Sequence, residues 1–478
     1  MGIGVSGWRL ARAVSLRGQL GVVSATAIDS VFVRRLQDGD PGGDLRRAMD
    51  HFPLPGIAAA ALRRYYREGG RPAGVPYRML GMYHKGVGRA REQLTMLASF
   101  VEVWLAKEGH DGPVGVNLLT KIQLPNLAIL YGAMLAGVDY VLMGAGIPRE
   151  IPGVLDALAA HQPASIRLEI DGGSPDLDAT VRLDPRDHWG GAPPALLTRP
   201  RFLAIIASNS LATMLVRKAS GRVDGFVIEG PTAGGHNAPP RGALRLSGQG
   251  EPIYGERDMV DLAAVRELGL PFWLAGGTGS PAALRGALDA GATGIQVGTL
   301  FAFAEESGLA AEYKRSVLLH AAQGAVEVFT DPAASPTGYP FKVVHWPGDP
   351  LHASPPRERV CDLGYLRTPY QRPDGRLGYR CPAEPVDAYV EKGGRLEETV
   401  GRHCLCNALM ANIDHAQVRA EGRVEPPLLT SGDDLASIDG FLRGRTSYTA
   451  AQVLDYLLDG ETQQVGATAR AEAQQPGP

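Results

Sequence analysis

The chain has 478 residues, 44% of them hydrophobic, with 6% aromatic residues and a formal net charge of −3. A large core is therefore within reach, and no charge excess directs the protein to nucleic acid or to an anionic membrane surface. No apolar run approaches the ~18 residues of a membrane helix, the N-terminus lacks the charged-then-apolar pattern of a secretory signal, and four cysteines in this length do not make a secreted disulfide framework; a cytoplasmic globular chain is the expectation.

Met1-Gly2-Ile3-Gly4-Val5-Ser6-Gly7 opens the chain. Its Gly2-x-Gly4-x-x-Gly7 spacing satisfies a dinucleotide fingerprint, with Asp29 about 20 residues on. That fold needs a strand immediately before Gly2, and none stands there in this sequence. A helix is expected over Trp8–Leu16 and a strand over Leu20–Ser24, followed by a mostly helical insertion from Pro41 to Glu108. Strands then read at Val114–Leu118, Asp139–Met143, Phe202–Ala207, Asp224–Glu229, Pro271–Ala275 and Gly294–Val297, with helices over Asn126–Ala136 and Leu211–Ser220 between them. Ser165–Ile170 and Ala179–Leu183 alternate apolar and polar residues across Asp171-Gly172-Gly173-Ser174-Pro175, the pattern of an inserted β-hairpin. Asp184–Pro200 reads as loop.

Continuous apolar strands alternating with helices require a parallel sheet covered on both faces. The fold expected is an α/β, (β/α)8 TIM barrel over residues 1–345. Seven strands are legible, and the missing one is the first: either the barrel closes on a short stub or the sequence begins inside it. Residues 346–460 form a loop-rich C-terminal extension, Pro-rich and irregular to about Glu425, with a short helix at Ala450–Leu458. The polar tail 461–478 is expected to be disordered.

Two motifs carry chemistry. Ala275-Gly276-Gly277-Thr278-Gly279 is followed by Ser280-Pro281, a good N-cap with Pro at the first turn, and the next strand ends in Gln296-Val297-Gly298-Thr299. Glycines let backbone N–H groups approach an anion, and the loops after the last two strands of a barrel are its usual phosphate site; tight turns are the plainer account of either cluster alone. The second motif, Glu229-Gly230-Pro231-Thr232-Ala233-Gly234-Gly235-His236-Asn237, places a histidine just past a strand end. Imidazole, with an unperturbed pKa near ~6.5, exchanges protons at working pH.

AGGHN at 233–237, LAGGTGSP at 274–281, IQVGTLF at 295–301 and VGVN at 114–117 resemble the nitronate monooxygenase family, formerly the 2-nitropropane dioxygenases. Flavin-dependent enoyl reductases share its barrel and its His motif. The resemblance covers residues 1–345. It implies FMN as cofactor, held at Gly2, Ile3, Gly4, Asn117, Gly234, Gly235, Gly276, Gly277, Gln296, Val297, Gly298 and Thr299, with His236 catalytic. Glu229 stands where the family usually has Gln, so a carboxylate beside the flavin would disfavour its anionic reduced form. The implied reaction is oxidation of a nitronate with O2 as electron acceptor. The rival is an NAD(P)H-dependent enoyl-thioester reductase acting on an acyl carrier, for which the insertions would serve as lid or dock. A silent flavin-binding module has no need of His236.

Cys361, Cys381, Cys404 and Cys406 have the spacing C-x19-C-x22-C-x-C. Gathered thiols suggest structural zinc rather than a disulfide, while the missing C-x2-C knuckles favour plain buried residues. His84, His188, His345 and His403 show no ligand spacing, and Glu305 and Glu306 read as a solvated helix start.

Overall fold

The strand–helix alternation resolves, in a computed structural model describing residues 2–458 except 174–178, 192 and 354–356, into an open barrel. The chain runs through α1 (Trp8–Ser15), β1 (Gly21–Ser24), α2 (Ile28–Gln37), α3 (Asp44–Met49), α4 (Ile57–Tyr65), α5 (Arg89–Lys107) and β2 (Val114–Leu119). Next come α6 (Gln123–Leu135), β3 (Tyr140–Gly144), α7 (Ile151–Ala159), β4 (Ala164–Arg167), β5 (Thr180–Leu183), β6 (Arg201–Ile206), α8 (Asn209–Lys218) and β7 (Gly225–Glu229). Then follow α9 (Leu262–Arg266), β8 (Phe272–Ala275), α10 (Pro281–Asp289) and β9 (Gly294–Gln296). Seven strands pair in the order β1-β2-β3-β6-β7-β8-β9, and each neighbouring pair is parallel. The expected hairpin is present as the antiparallel pair β4–β5.

The open point is closure. Among the described residues no strand lies between β9 and β1, so the seven strands legible in the sequence are the seven staves seen. Two other elements stand near that gap. Residues 2–6 run past the top of β1, where Ser24 N–H donates to Ser6 O at 2.8 Å and Gly308 N–H to Val5 O at 2.8 Å. The helix at 450–458 packs Ala450 against Leu10 and Val14 of α1.

Burial explains the rest of the frame. The stretch Leu127–Met134 of α6 is buried throughout, as a helix between sheet and outer layer must be. Gly132 lets α6 meet α5: a Cβ there would lie 2.2 Å from the Met96 carbonyl oxygen. Asp29, the acid of the dinucleotide-like spacing, is buried and paired with Arg91 at 2.5 Å, and it also accepts the Tyr365 hydroxyl. It joins α2, α5 and the C-terminal extension, its carboxylate taken up by Arg91, Thr95 and Tyr365.

Beyond β9 come α11 (Thr299–Ala302), α12 (Ala311–Ala322), β10 (Glu327–Asp331), β11 (Phe341–His345), α13 (Pro350–Ala353), β12 (Thr368–Gln371) and β13 (Leu377–Arg380). The chain continues with α14 (Val386–Glu391), α15 (Leu405–Ala411) and α16 (Asp439–Leu442). The antiparallel pairs β10–β11 and β12–β13 were not foreseen; the second falls inside the stretch read as irregular. Strands of four or five residues carry too few alternations to register in sequence, and pairing decides them. The tail 461–478 lies outside the described residues.

Candidate active site

At the C-terminal ends of the staves the sheet opens into a cavity of about 820 Å3. Gly2, Ile3, Asn117, Glu229, Gly234, Gly235, His236, Gly276, Gly277, Gln296, Val297, Gly298 and Thr299 all line it. Gly4 is the exception. It packs away from the cavity, where a Cβ would lie 2.6 Å from Ile413 Cδ1.

One wall is an amide-rich cradle. Gly276 and Gly277 take φ of +96° and +64°, and a Cβ on Gly276 would meet Ala233 N at 3.0 Å, so both the turn and the close approach require glycine. Thr278 Oγ1 donates to the Gln296 carbonyl at 3.0 Å, tying the loop after β8 to β9. Ser280 Oγ accepts Ala283 N–H at 3.1 Å and caps α10, and Gly298 caps α11. Among the described residues, the amides of Gly277, Thr278 and Gly298 donate to no backbone carbonyl. Three buried polar atoms in the same cavity lining also lack partners, Gln296 Oε1, Asn237 Oδ1 and Ser431 Oγ. Buried polar groups are normally satisfied. Free amides, a glycine cradle and orphaned acceptors together fit a phosphorylated, polar-edged cofactor such as FMN.

The C-terminal extension supplies part of this wall. Thr299 Oγ1 donates to Asp434 Oδ1, and Gly432 N–H donates to Thr299 Oγ1 at 3.2 Å. Burial pushes the Asp434 carboxyl up, toward the neutral form that an anion nearby tolerates. Asp434 and Ser431 are site residues that sequence reading missed. They lie more than a hundred positions from the motifs they touch, and nothing local marks them.

His236 occupies another wall. Its Nε2 lies 2.6 Å from Ser335 Oγ, and its ring stands edge-on to Phe341 at 4.8 Å. An isolated bridge pairs His236 with Phe341, while Lys342 N–H donates to Gly235 O and Asn237 N–H to Pro340 O, each at 2.9 Å. The histidine loop is thereby sewn to the start of β11. The ring faces the cavity yet lies far from bulk water; burial first, and then the charge of Lys121, lowers its pKa to about 4. Lys121 is itself lowered to about 8 by burial; its Nζ stands 3.4 Å from the Tyr339 ring centre and donates to Thr337 O at 3.2 Å. Glu229 ends β7 at the cavity; its carboxyl makes no hydrogen bond or ion pair with a described residue and is pushed up by burial to about 7.

The remaining candidates serve other parts of the fold, apart from Cys406, which also borders the cavity. Cys361, Cys381, Cys404 and Cys406 are free thiols in one apolar cluster. Among the described residues no group of three or more His, Cys, Asp or Glu is arranged to hold a metal ion. Glu305 and Glu306 are not merely solvated: Glu305 accepts the Ser447 hydroxyl at 2.9 Å, and Glu306 accepts Ala450 N–H at 2.8 Å, capping the terminal helix. His188 sits 3.6 Å from Glu92, and His345 lies 3.4 Å from Asp349. No described helix is long and apolar enough to cross a membrane.

The stretch that carries both motifs also carries the relationship to known proteins. Residues 195–336 match the family model described as nitronate monooxygenase. The chain resembles the nitronate monooxygenases. A "Probable nitronate monooxygenase" of Staphylococcus saprophyticus is 28% identical over 120 residues, a match spanning 25% of this chain and 32% of that relative. Among solved structures, FabK from Thermotoga maritima aligns at TM-score 0.45 and 15% identity, over 98% of this chain and 94% of that one. A nitroalkane oxidase from Streptomyces ansochromogenes aligns at TM-score 0.44 and 17% identity, over 98% and 95%. The enoyl reductase domain of MlnA from Bacillus amyloliquefaciens aligns at TM-score 0.46 and 11% identity, over 98% and 95%.

Proposed function

We propose that this protein is an FMN-dependent oxidoreductase that oxidises nitronates with O2 as electron acceptor. The observation that carries the reading is the meeting, in one cavity, of a free-amide glycine cradle with a neutral imidazole. Gly277, Gly298 and Thr299 would hold the phosphate of FMN, with the backbone amides of Gly277 and Gly298 free to donate to it. Asn117, Gly234, Gln296 and Val297 would border its other edges, with Gly2, Ile3, Gly235 and Gly276 completing the walls. Bound FMN would supply the two-electron chemistry.

His236 would act on substrate as a neutral group. A ring whose conjugate acid lies near 4 is a weak base, so abstraction of a carbon-bound proton from a neutral nitroalkane is poorly served. A nitronate arrives already deprotonated and asks only for a hydrogen bond to its oxygens, which a neutral N–H donates. Glu229 would be mostly protonated below neutral pH, and in that form it donates a hydrogen bond as the Gln of the family does.

The deciding assay offers purified protein a nitronate with O2, and separately NAD(P)H with an enoyl thioester. Oxygen uptake on the nitronate is expected. NAD(P)H-dependent reduction of the enoyl thioester without nitronate turnover would replace this reading with that of an enoyl-thioester reductase. A colourless protein that takes up no added FMN would end both.

A further inference from the structure

The loop that faces His236 carries a hydroxyl bonded to its ring. Ser335 is fully buried. Its Oγ lies 2.6 Å from His236 Nε2, accepts Thr337 N–H at 3.2 Å, and lies 2.8 Å from Thr337 Oγ1. Thr337 Oγ1 in turn accepts Tyr339 N–H at 3.3 Å. The loop is braced from outside by Arg402, whose Nη1 donates to the carbonyls of Ala333 at 2.7 Å and Ser335 at 2.5 Å. Asp331 adds a further brace by accepting Ala333 N–H at 2.6 Å and Ala334 N–H at 3.0 Å.

Two proton arrangements satisfy these contacts. A hydroxyl has one proton to donate and two acceptor positions. In the first arrangement Ser335 donates to Nε2 and Thr337 donates to Ser335, and the ring proton stands on Nδ1. In the second, Nε2–H donates to Ser335 and Ser335 donates to Thr337, whose own proton, on a half-buried residue, is left to solvent. The two use equal numbers of internal donors; the N–H toward a nitronate that the proposed function asks of His236 selects the first. Nε2 is then an acceptor, the ring carries its proton on Nδ1, and that nitrogen has no partner among the described residues.

We infer that Ser335 is a positioning residue for His236, holding Nε2 as a hydrogen-bond acceptor so that the ring offers Nδ1–H to the cavity. Lys121, beside the ring, opposes its protonation and so favours the same neutral state. Of the other charges near these loops, Lys342 is engaged by Asp433 at 2.5 Å and Thr330 at 2.8 Å, and Arg402 is turned to the backbone carbonyls. The inference rests on the proposed proton-handling role of His236. The tautomer is readable without turnover, however, so the two can fail separately.

Nitrogen NMR of protein with labelled histidine, the His236 signals being identified by their absence in His236→Gln, tests it. The wild-type ring is expected to show a protonated Nδ1 and an acceptor Nε2. In Ser335→Ala the ring should shift to a mixture of tautomers or to Nε2–H. Because a donor that favours the neutral ring is gone, the acid limb of kcat/KM should move to higher pH, and kcat/KM should fall by about five- to tenfold, the worth of one neutral hydrogen bond. Ser335→Thr, which keeps the hydroxyl, should restore the wild-type ring signals. A wild-type ring protonated on Nε2 overturns the inference by itself, even if no variant folds. Ring signals and pH profile unmoved in Ser335→Ala overturn it as well. Correct ring signals in a protein that turns over no nitronate would leave Ser335 in place and remove the function instead.

Discussion

Replacing Glu229 with Gln tests the electrostatics of the cavity without altering its shape. The carboxyl of Glu229 rises from an ordinary 4.5 to about 7, chiefly because burial disfavours its charged form. The sign follows from linkage. A folded-state pKa above the unfolded one means the folded protein binds the extra proton between the two values. The contribution of Glu229 to stability is therefore fully present below 4.5 and is lost as the pH rises through 7. Two and a half pH units correspond to about 3 kcal/mol as an upper figure, and water in the cavity lowers it, so a gain of about 1–3 kcal/mol is expected for the neutral amide. Glu229→Gln should match the wild type in urea unfolding near about pH 4.5 and exceed it by that amount near about pH 8. An equal difference at both pH values, or a variant weaker than the wild type at high pH, would refute the reasoning.

Four further outcomes are expected. His236→Ala should keep its flavin, because the cradle lies on other strands, while turnover falls by roughly 10²–10⁴-fold; loss of FMN from this variant would make the histidine a cofactor ligand. His236 is depressed from 6.5 to about 4, so its contribution to stability is present above 6.5 and lost as the pH falls through 4; thermal melts of His236→Gln should show a flatter profile across that window. Gly276→Ala puts a side chain at φ +96° against Ala233 N at 3.0 Å; destabilisation by about 1–2 kcal/mol and loss of bound flavin are expected, whereas Gly248→Ala, which meets nothing within 4 Å, should change neither. Thiol titration should find all four cysteines reactive on unfolding, and elemental analysis should find no stoichiometric zinc; a tightly held zinc would return them to a ligand role.

What was legible in the sequence is what short-range chemistry encodes. Apolar runs such as Val114–Leu118 and Phe202–Ala207 had to be buried strands between helices, and Gly276-Gly277 and Gly298 announced turns where backbone amides stay free. His236 was visible because it follows a strand end between glycines and an asparagine. The tertiary structure decided everything that depends on distant segments meeting. It leaves the space between β9 and β1 without a described strand. It turns Gly4 away from the cavity against Ile413 and directs Asp29 into an ion pair with Arg91. It brings Ser335 to His236 and Asp434 to Thr299, across 99 and 135 positions of chain respectively. Those contacts leave no periodicity and no local spacing, because a hydroxyl or carboxylate is selected there by the one atom it touches, and that atom belongs to another part of the fold.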